Sequence, residues 1–94
     1  MDRDAFEAEL RAQGYNDIVD RHMPAGVVNP EHAHEFDARV LILEGEMTIA
    51  AAGEERTYHT GSQCAIAAGH RHAERAGPEG VRYLAGRRFR ATAG

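Results

Sequence analysis

Along the chain, apolar side chains first recur at helical spacing and then give way to short runs cut by turn residues. Between residues 2 and 13, Phe6 and Leu10 stand one turn apart in a polar, acid-rich stretch, and Gly14 follows where a left-handed residue ends a helix. This predicts a short amphipathic helix packed on the rest of the chain. Beyond it, turn signals at Pro24 to Gly26, Asn29-Pro30, Gly45, Gly53, Gly61, Gly69, Gly77-Pro78 and Gly86 come at roughly the eight-to-twelve-residue rhythm of a β-sandwich or small barrel. The segments between them, 17–22, 27–31, 36–43, 46–50, 56–59, 63–67, 72–75 and 81–85, are each short enough for one strand. In Val40-Leu41-Ile42-Leu43 the apolar residues are continuous, which predicts a strand covered on both faces, central in its sheet or buried against a second copy.

Composition narrows this picture. Of the 94 residues 43% are hydrophobic, but seventeen are alanine and only sixteen are Leu, Ile, Val or Phe, so the core is thin and dimerisation or a bound metal would help it. One domain, residues 1–94, accounts for the whole pattern. Eleven Arg and no Lys against fifteen acids exclude a basic nucleic-acid binder, and the cluster Arg87, Arg88 and Arg90 reads as a solvated edge. The longest apolar run is far too short to cross a bilayer, and the opening residues read as helix, not as a leader. With Cys64 as the single cysteine no internal disulfide forms, and a cytoplasmic location is expected.

Chemistry enters with the histidines. His32-Ala33-His34 and His70-Arg71-His72 both have i, i+2 spacing, which on a strand puts two imidazoles on one face with Cβ atoms about 7 Å apart. Two imidazoles aimed into one space can share a transition-metal ion, and a third leaves positions open for water or substrate. His22 and His59 have no second ligand near them and read as surface residues.

The stretch from Gly26 through His32, His34 and the strand ending at Gly45 resembles the first motif of the cupin superfamily. The stretch from Gly61 through Ala67 and Gly69 to His72 resembles the second, with Ala67 in place of the family's proline. The resemblance implies an all-β fold, a small single-domain cupin-type β-barrel (double-stranded β-helix, jelly roll) over residues 15–90, preceded by the short helix. It also implies that His32, His34 and His72 converge as ligands of one divalent metal, Fe, Mn, Ni, Zn or Cu. The first motif's glutamate is absent, since Ala38 and Arg39 stand at its place. Asp37 is the nearest acid, and a bulge between His34 and Val40 would aim it inward as a fourth ligand or a partner of a ligating histidine; an ion pair with Arg39 or Arg71 is the other reading. Ala76 replaces the asparagine that usually ends the second motif.

Without an acid in the ligand set, the site would resemble the three-histidine iron centres of dioxygenases in the superfamily. The function expected is therefore a metal-binding barrel, a dioxygenase-like enzyme acting on a small organic substrate, or else a non-catalytic module that binds or senses a metal or small ligand. Phe36, His70, Arg39 and Tyr58 are the expected pocket residues, and Arg39, Arg71 and Arg75 are the cations able to hold a substrate carboxylate in a bidentate pair. A homodimer is expected, with no nucleic-acid or membrane partner.

Overall fold

The computed structural model describes residues 2–89, so Arg90 lies outside the described residues. A ten-residue helix, α1 (Arg3–Ala12), is followed by six strands: β1 (Asp17–Met23), β2 (Val28–His32), β3 (Phe36–Ala51), β4 (Glu54–His59), β5 (Gln63–Ile66) and β6 (His72–Phe89). Asp2 caps the helix by accepting a 2.8 Å hydrogen bond from the Ala5 N–H. No helix among the described residues is long and apolar enough to cross a membrane.

The two long strands organise the rest. β3 and β6 run antiparallel from Phe36 opposite Phe89 to Ala50 opposite Ala73. The C-terminal half of β6 also pairs with β1, and the N-terminal half of β3 with β5, which makes one four-stranded layer. The other halves pair with β2 and β4 and make a second. Four segments expected as separate strands are thus two bent strands. Gly45 and the Gly77-Pro78 region do not end them; the register slips there, between Ile42 and Glu44 and between Gly45 and Met47, and the chain turns from one layer into the other. Gly53 does end a strand. With Ala52 at φ 52° and Gly53 at φ 79°, the two-residue connection has the doubly positive φ of a type I′ hairpin.

Alternation along β3 explains the continuous apolar run. Val40 and Ile42 face the barrel interior with Met23, Met47, Ile49, Val81, Tyr83 and Ala85, while Leu41 faces out onto Phe6, Leu10, Tyr15 and Leu84. The strand is therefore covered on both faces from within the chain, by α1. A helix this short does not hold in water by itself, and burying Phe6 and Leu10, each contributing about 2 kcal/mol, is what docks it. Arg39 reinforces the contact, donating to Glu9 at 2.9 Å and Gln13 at 2.7 Å and lying over the Phe6 ring.

At the bend, Gly45 has φ +77°, and a Cβ there would lie 2.1 Å from the Gly80 carbonyl oxygen. Gly45→Ala is expected to cost at least about 2 kcal/mol in urea unfolding, more than the left-handed conformation alone explains. Gly53→Ala has the same positive φ but nothing within 4 Å of the new methyl, and is expected to cost only about 1 kcal/mol. Equal losses would show that the close approach of the two strands is not what the bend requires.

Candidate metal centre

His32 ends β2 and lies directly opposite His72, the first residue of β6. His34 sits in the connection to β3, where its carbonyl accepts from the Gly69 N–H at 2.8 Å and so ties that connection to the turn leading into β6. The three rings form a nearly equilateral triangle, with centroids 4.5, 4.8 and 4.9 Å apart. Phe36 stacks on the His34 ring at 4.4 Å with only 13° between the planes, which fixes that ring's attitude.

The acid in this group is Glu74. It stands two residues after His72 on the same face of β6, and its Oε1 lies 3.2 Å from His72 Nε2 and 3.4 Å from His32 Nε2. One donor atom from each of His32, His34, His72 and Glu74 falls within 4.8 Å of all the others. The spacing His72-Ala73-Glu74 carried the same i, i+2 signal that singled out the histidine pairs, so strand parity applied one step further along β6 finds this residue.

The tautomers follow from the backbone. His32 Nδ1 lies 2.8 Å from the Pro30 carbonyl and His72 Nδ1 lies 2.9 Å from the His70 carbonyl. A carbonyl only accepts, so both Nδ1 atoms carry the proton and both Nε2 atoms present lone pairs to the group. His34 Nε2 is 3.1 Å from His32 Nε2. Despite the nearby carboxylate, His72 Nε2 is a buried atom with no hydrogen bond of acceptable geometry, and His34 Nδ1 is another. Acceptors crowded around one point, with too few protons to pair them, repel one another unless a cation stands among them. The donor set, imidazole nitrogens plus one carboxylate, suits a divalent transition metal.

Asp37 lies outside this group. From Phe36 to Ile42 the strand pairs with β6 without a register shift, so no bulge turns Asp37 inward. Phe36 and Ala38 face the cavity, and Asp37 faces away, where it accepts from the Ala68 N–H at 2.9 Å and from Arg88 at 3.0 Å. Its observed contacts secure the turn that carries His72. The expected cations are also placed elsewhere: Arg39 is spent on α1, Arg71 pairs with Glu31 at 2.6 Å, and Arg75 pairs with Glu55 at 3.4 Å.

The group stands at the wall of a cavity of about 520 Å³, lined by His32, His34 and Glu74 together with Phe36, Val40, Ile66, Tyr83 and Arg87. Of the four expected pocket residues only Phe36 lines it. Tyr58 and His70 line a smaller hollow of about 160 Å³ behind His72, together with Cys64. Burial pushes the Cys64 thiol up to about 12 and raises the Tyr83 phenol too, with the Glu74 charge adding to both, so both stay protonated at neutral pH.

Comparison with known proteins adds the family and the fold. The family model described as the cupin domain matches residues 19–86. Among solved structures, a Rhizobium leguminosarum protein of unknown function superposes with a TM-score of 0.73 at 19% identity, covering 78% of this chain and 69% of that one. The DMSP lyase DddQ of Ruegeria pomeroyi gives 0.71 at 27% identity, covering 82% of this chain and 40% of that one. A variant oxalate decarboxylase of Bacillus subtilis gives 0.70 at 17% identity, covering 77% of this chain and 20% of that one. This chain therefore spans less than half of either enzyme. No curated protein matches it.

Burial lowers the His34 pKa, with the neighbouring His72 and His32 adding to the effect. A histidine depressed in the folded state contributes stability that is present above the ordinary value of 6.5 and is lost as pH falls through the lowered one, because the unfolded chain takes the proton first. The melting temperature of chelator-treated protein is expected to fall between pH 7.5 and 5.5, and the fall is expected to be shallower in His34→Gln. Parallel pH profiles would show that His34 is not held neutral by the fold.

Proposed function

This chain belongs to the cupin domain family, and from that premise we propose that it is a mononuclear metal-dependent enzyme acting on a small organic substrate in the barrel cavity. The observation that carries the reading is the convergence of His32, His34, His72 and Glu74, with two of the imidazoles pinned by backbone carbonyls, at the wall of a cavity large enough for one small molecule. Residue by residue, His32, His34 and His72 are the nitrogen ligands and Glu74 takes the role first expected of Asp37. A metal bound there supplies Lewis-acid chemistry, or dioxygen chemistry if it is iron.

The chain's own residues do the rest. Pro30 and His70 hold two rings in the ligating tautomer, Phe36 holds the third ring, and Val40 and Ile66 give the cavity an apolar wall. The carboxylate of Glu74 offsets half of a divalent charge. The dioxygenase-like expectation drew on a site without an acid, so Glu74 widens the reaction class to the general chemistry of a Lewis acid on an organic substrate.

Elemental analysis of protein purified without tag or chelator is expected to find near-stoichiometric metal in the wild type and none in the His32→Ala/His72→Ala double variant. Glu74→Gln is expected to weaken metal affinity at least about tenfold. Asp37→Asn is expected to leave metal content unchanged while costing about 1 kcal/mol of stability, since it removes the charge that Arg88 pairs with. Metal lost in Asp37→Asn but kept in Glu74→Gln would reverse the assignment, and none in the wild type after reconstitution would end the reading. Iron or copper directs the next assay to oxygen consumption.

The homodimer belongs to this reading through Val27, Val28 and Phe89, the large apolar side chains left exposed among the described residues. A monomer mass in size-exclusion chromatography at micromolar protein would remove it.

A further inference from the structure

Arg87 makes an unusual use of its guanidinium. It lines the cavity beside the histidines from β6, and Phe36 and Phe89 lie against it with ring centroids 5.3 and 5.9 Å from Cζ. Its Nη2 forms an ion pair with Asp17 at 2.6 Å, while its Nε is buried and has no hydrogen-bond partner. An arginine donor desolvated without an acceptor is costly, and the aromatic rings leave only the edge of the guanidinium plane for a partner. A second cation, Arg21 on β1, lines the same cavity and forms no ion pair with another described residue. Of the two acids on the cavity wall, Glu31 is paired with Arg71 and Glu74 sits among the histidines.

We propose that Arg87, supported by Arg21, is the specificity-determining anchor for the carboxylate of a small organic acid whose apolar body lies along Phe36, Ala38, Val40 and Ala85. The carboxylate meets the part of the Arg87 guanidinium edge that stays exposed, about a quarter of the side chain, while the sealed Nε–H senses the added charge, and Arg21 adds charge without a geometric demand. Phe36 touches both ends of the arrangement, stacked on His34 on one side and on Arg87 on the other, so a ligand held by its carboxylate lies with its remaining groups facing the histidines. This rests on the metal-dependent reading above for what happens to the substrate, but not for how it is held.

The test is a calorimetric and NMR titration of the full chain with benzoate and with its neutral isostere benzamide. Benzoate is expected to bind the wild type at least about tenfold more tightly than benzamide and to shift the Arg87 Nε–H resonance, which benzamide leaves in place. Arg87→Gln is expected to weaken benzoate roughly tenfold to a hundredfold without altering benzamide, and Arg21→Gln to weaken it by a smaller factor. Absence of benzoate binding to the wild type, unchanged benzoate affinity in folded Arg87→Gln, or a stationary Nε–H resonance would each overturn the proposal. If Arg87→Gln does not fold, the resonance in the wild type decides alone. The two readings separate cleanly: benzoate binding lost in His32→Ala/His72→Ala but kept in Arg87→Gln puts the carboxylate on the metal and overturns the anchor alone. An Arg87-dependent response in protein that takes up no metal even after reconstitution sustains the anchor while the metal centre falls.

Discussion

Everything in this molecule depends on one pairing, that of β3 with β6, and on its ability to bend. The two strands stay hydrogen-bonded from Phe36–Phe89 to Ala50–Ala73 while serving both layers of the barrel. They can do so because Gly45 rests against the carbonyl of Gly80 where no side chain fits. A straight ladder of that length would be one flat, twisted ribbon; a bent one closes around an interior. The bend therefore creates both the core and the cavity. It also puts the start of β6, with His72 and Glu74, against β2 instead of β1, and that contact carries His32 to the same point.

What gathers there is unfavourable by itself. Lone pairs of imidazoles and a carboxylate are held together with two buried nitrogens unpaired, in a protein whose apolar core is small. The surrounding structure opposes relaxation at several points. Pro30 and His70 fix two rings through their carbonyls, Phe36 fixes the third, and Asp37 and the His34 carbonyl grip the turn at Ala68 and Gly69 just before His72. Rigid support under a strained polar group is what a binding site requires and what a merely stable fold would avoid.

The fold was legible in the sequence because its signals are local: turn residues at regular intervals, one amphipathic helix, and two histidine pairs in family spacing. The long strands were not, because Gly45 and Gly77-Pro78 carry the same turn signal whether the chain reverses or only bends, and only partner strands decide between the two. The histidines were found by i, i+2 spacing and family motif together. Glu74 escaped because the motif pointed to the acid position near Asp37, although the same parity that pairs His32 with His34 pairs His72 with Glu74. Arg39 and Arg87 show the limit from the other side. Both are arginines on barrel strands, and nothing in the sequence says that α1 will claim the first and leave the second beside the cavity.

The charge distribution of the cavity gives these placements a single direction. Tyr83 and Cys64 are protonated at neutral pH even at their ordinary values, and burial with the Glu74 charge raises both further, so neither adds an anion near the centre. Arg71 answers Glu31, and Asp17 pairs with Nη2 of Arg87. A divalent ion held by His32, His34, His72 and Glu74 would have one of its two charges cancelled by the carboxylate, and Arg21 would add to the remaining positive charge. With a metal bound, that field would favour an anionic ligand over a cationic one. Net charge over the whole chain is negative, so such a preference would belong to the cavity and not to the surface.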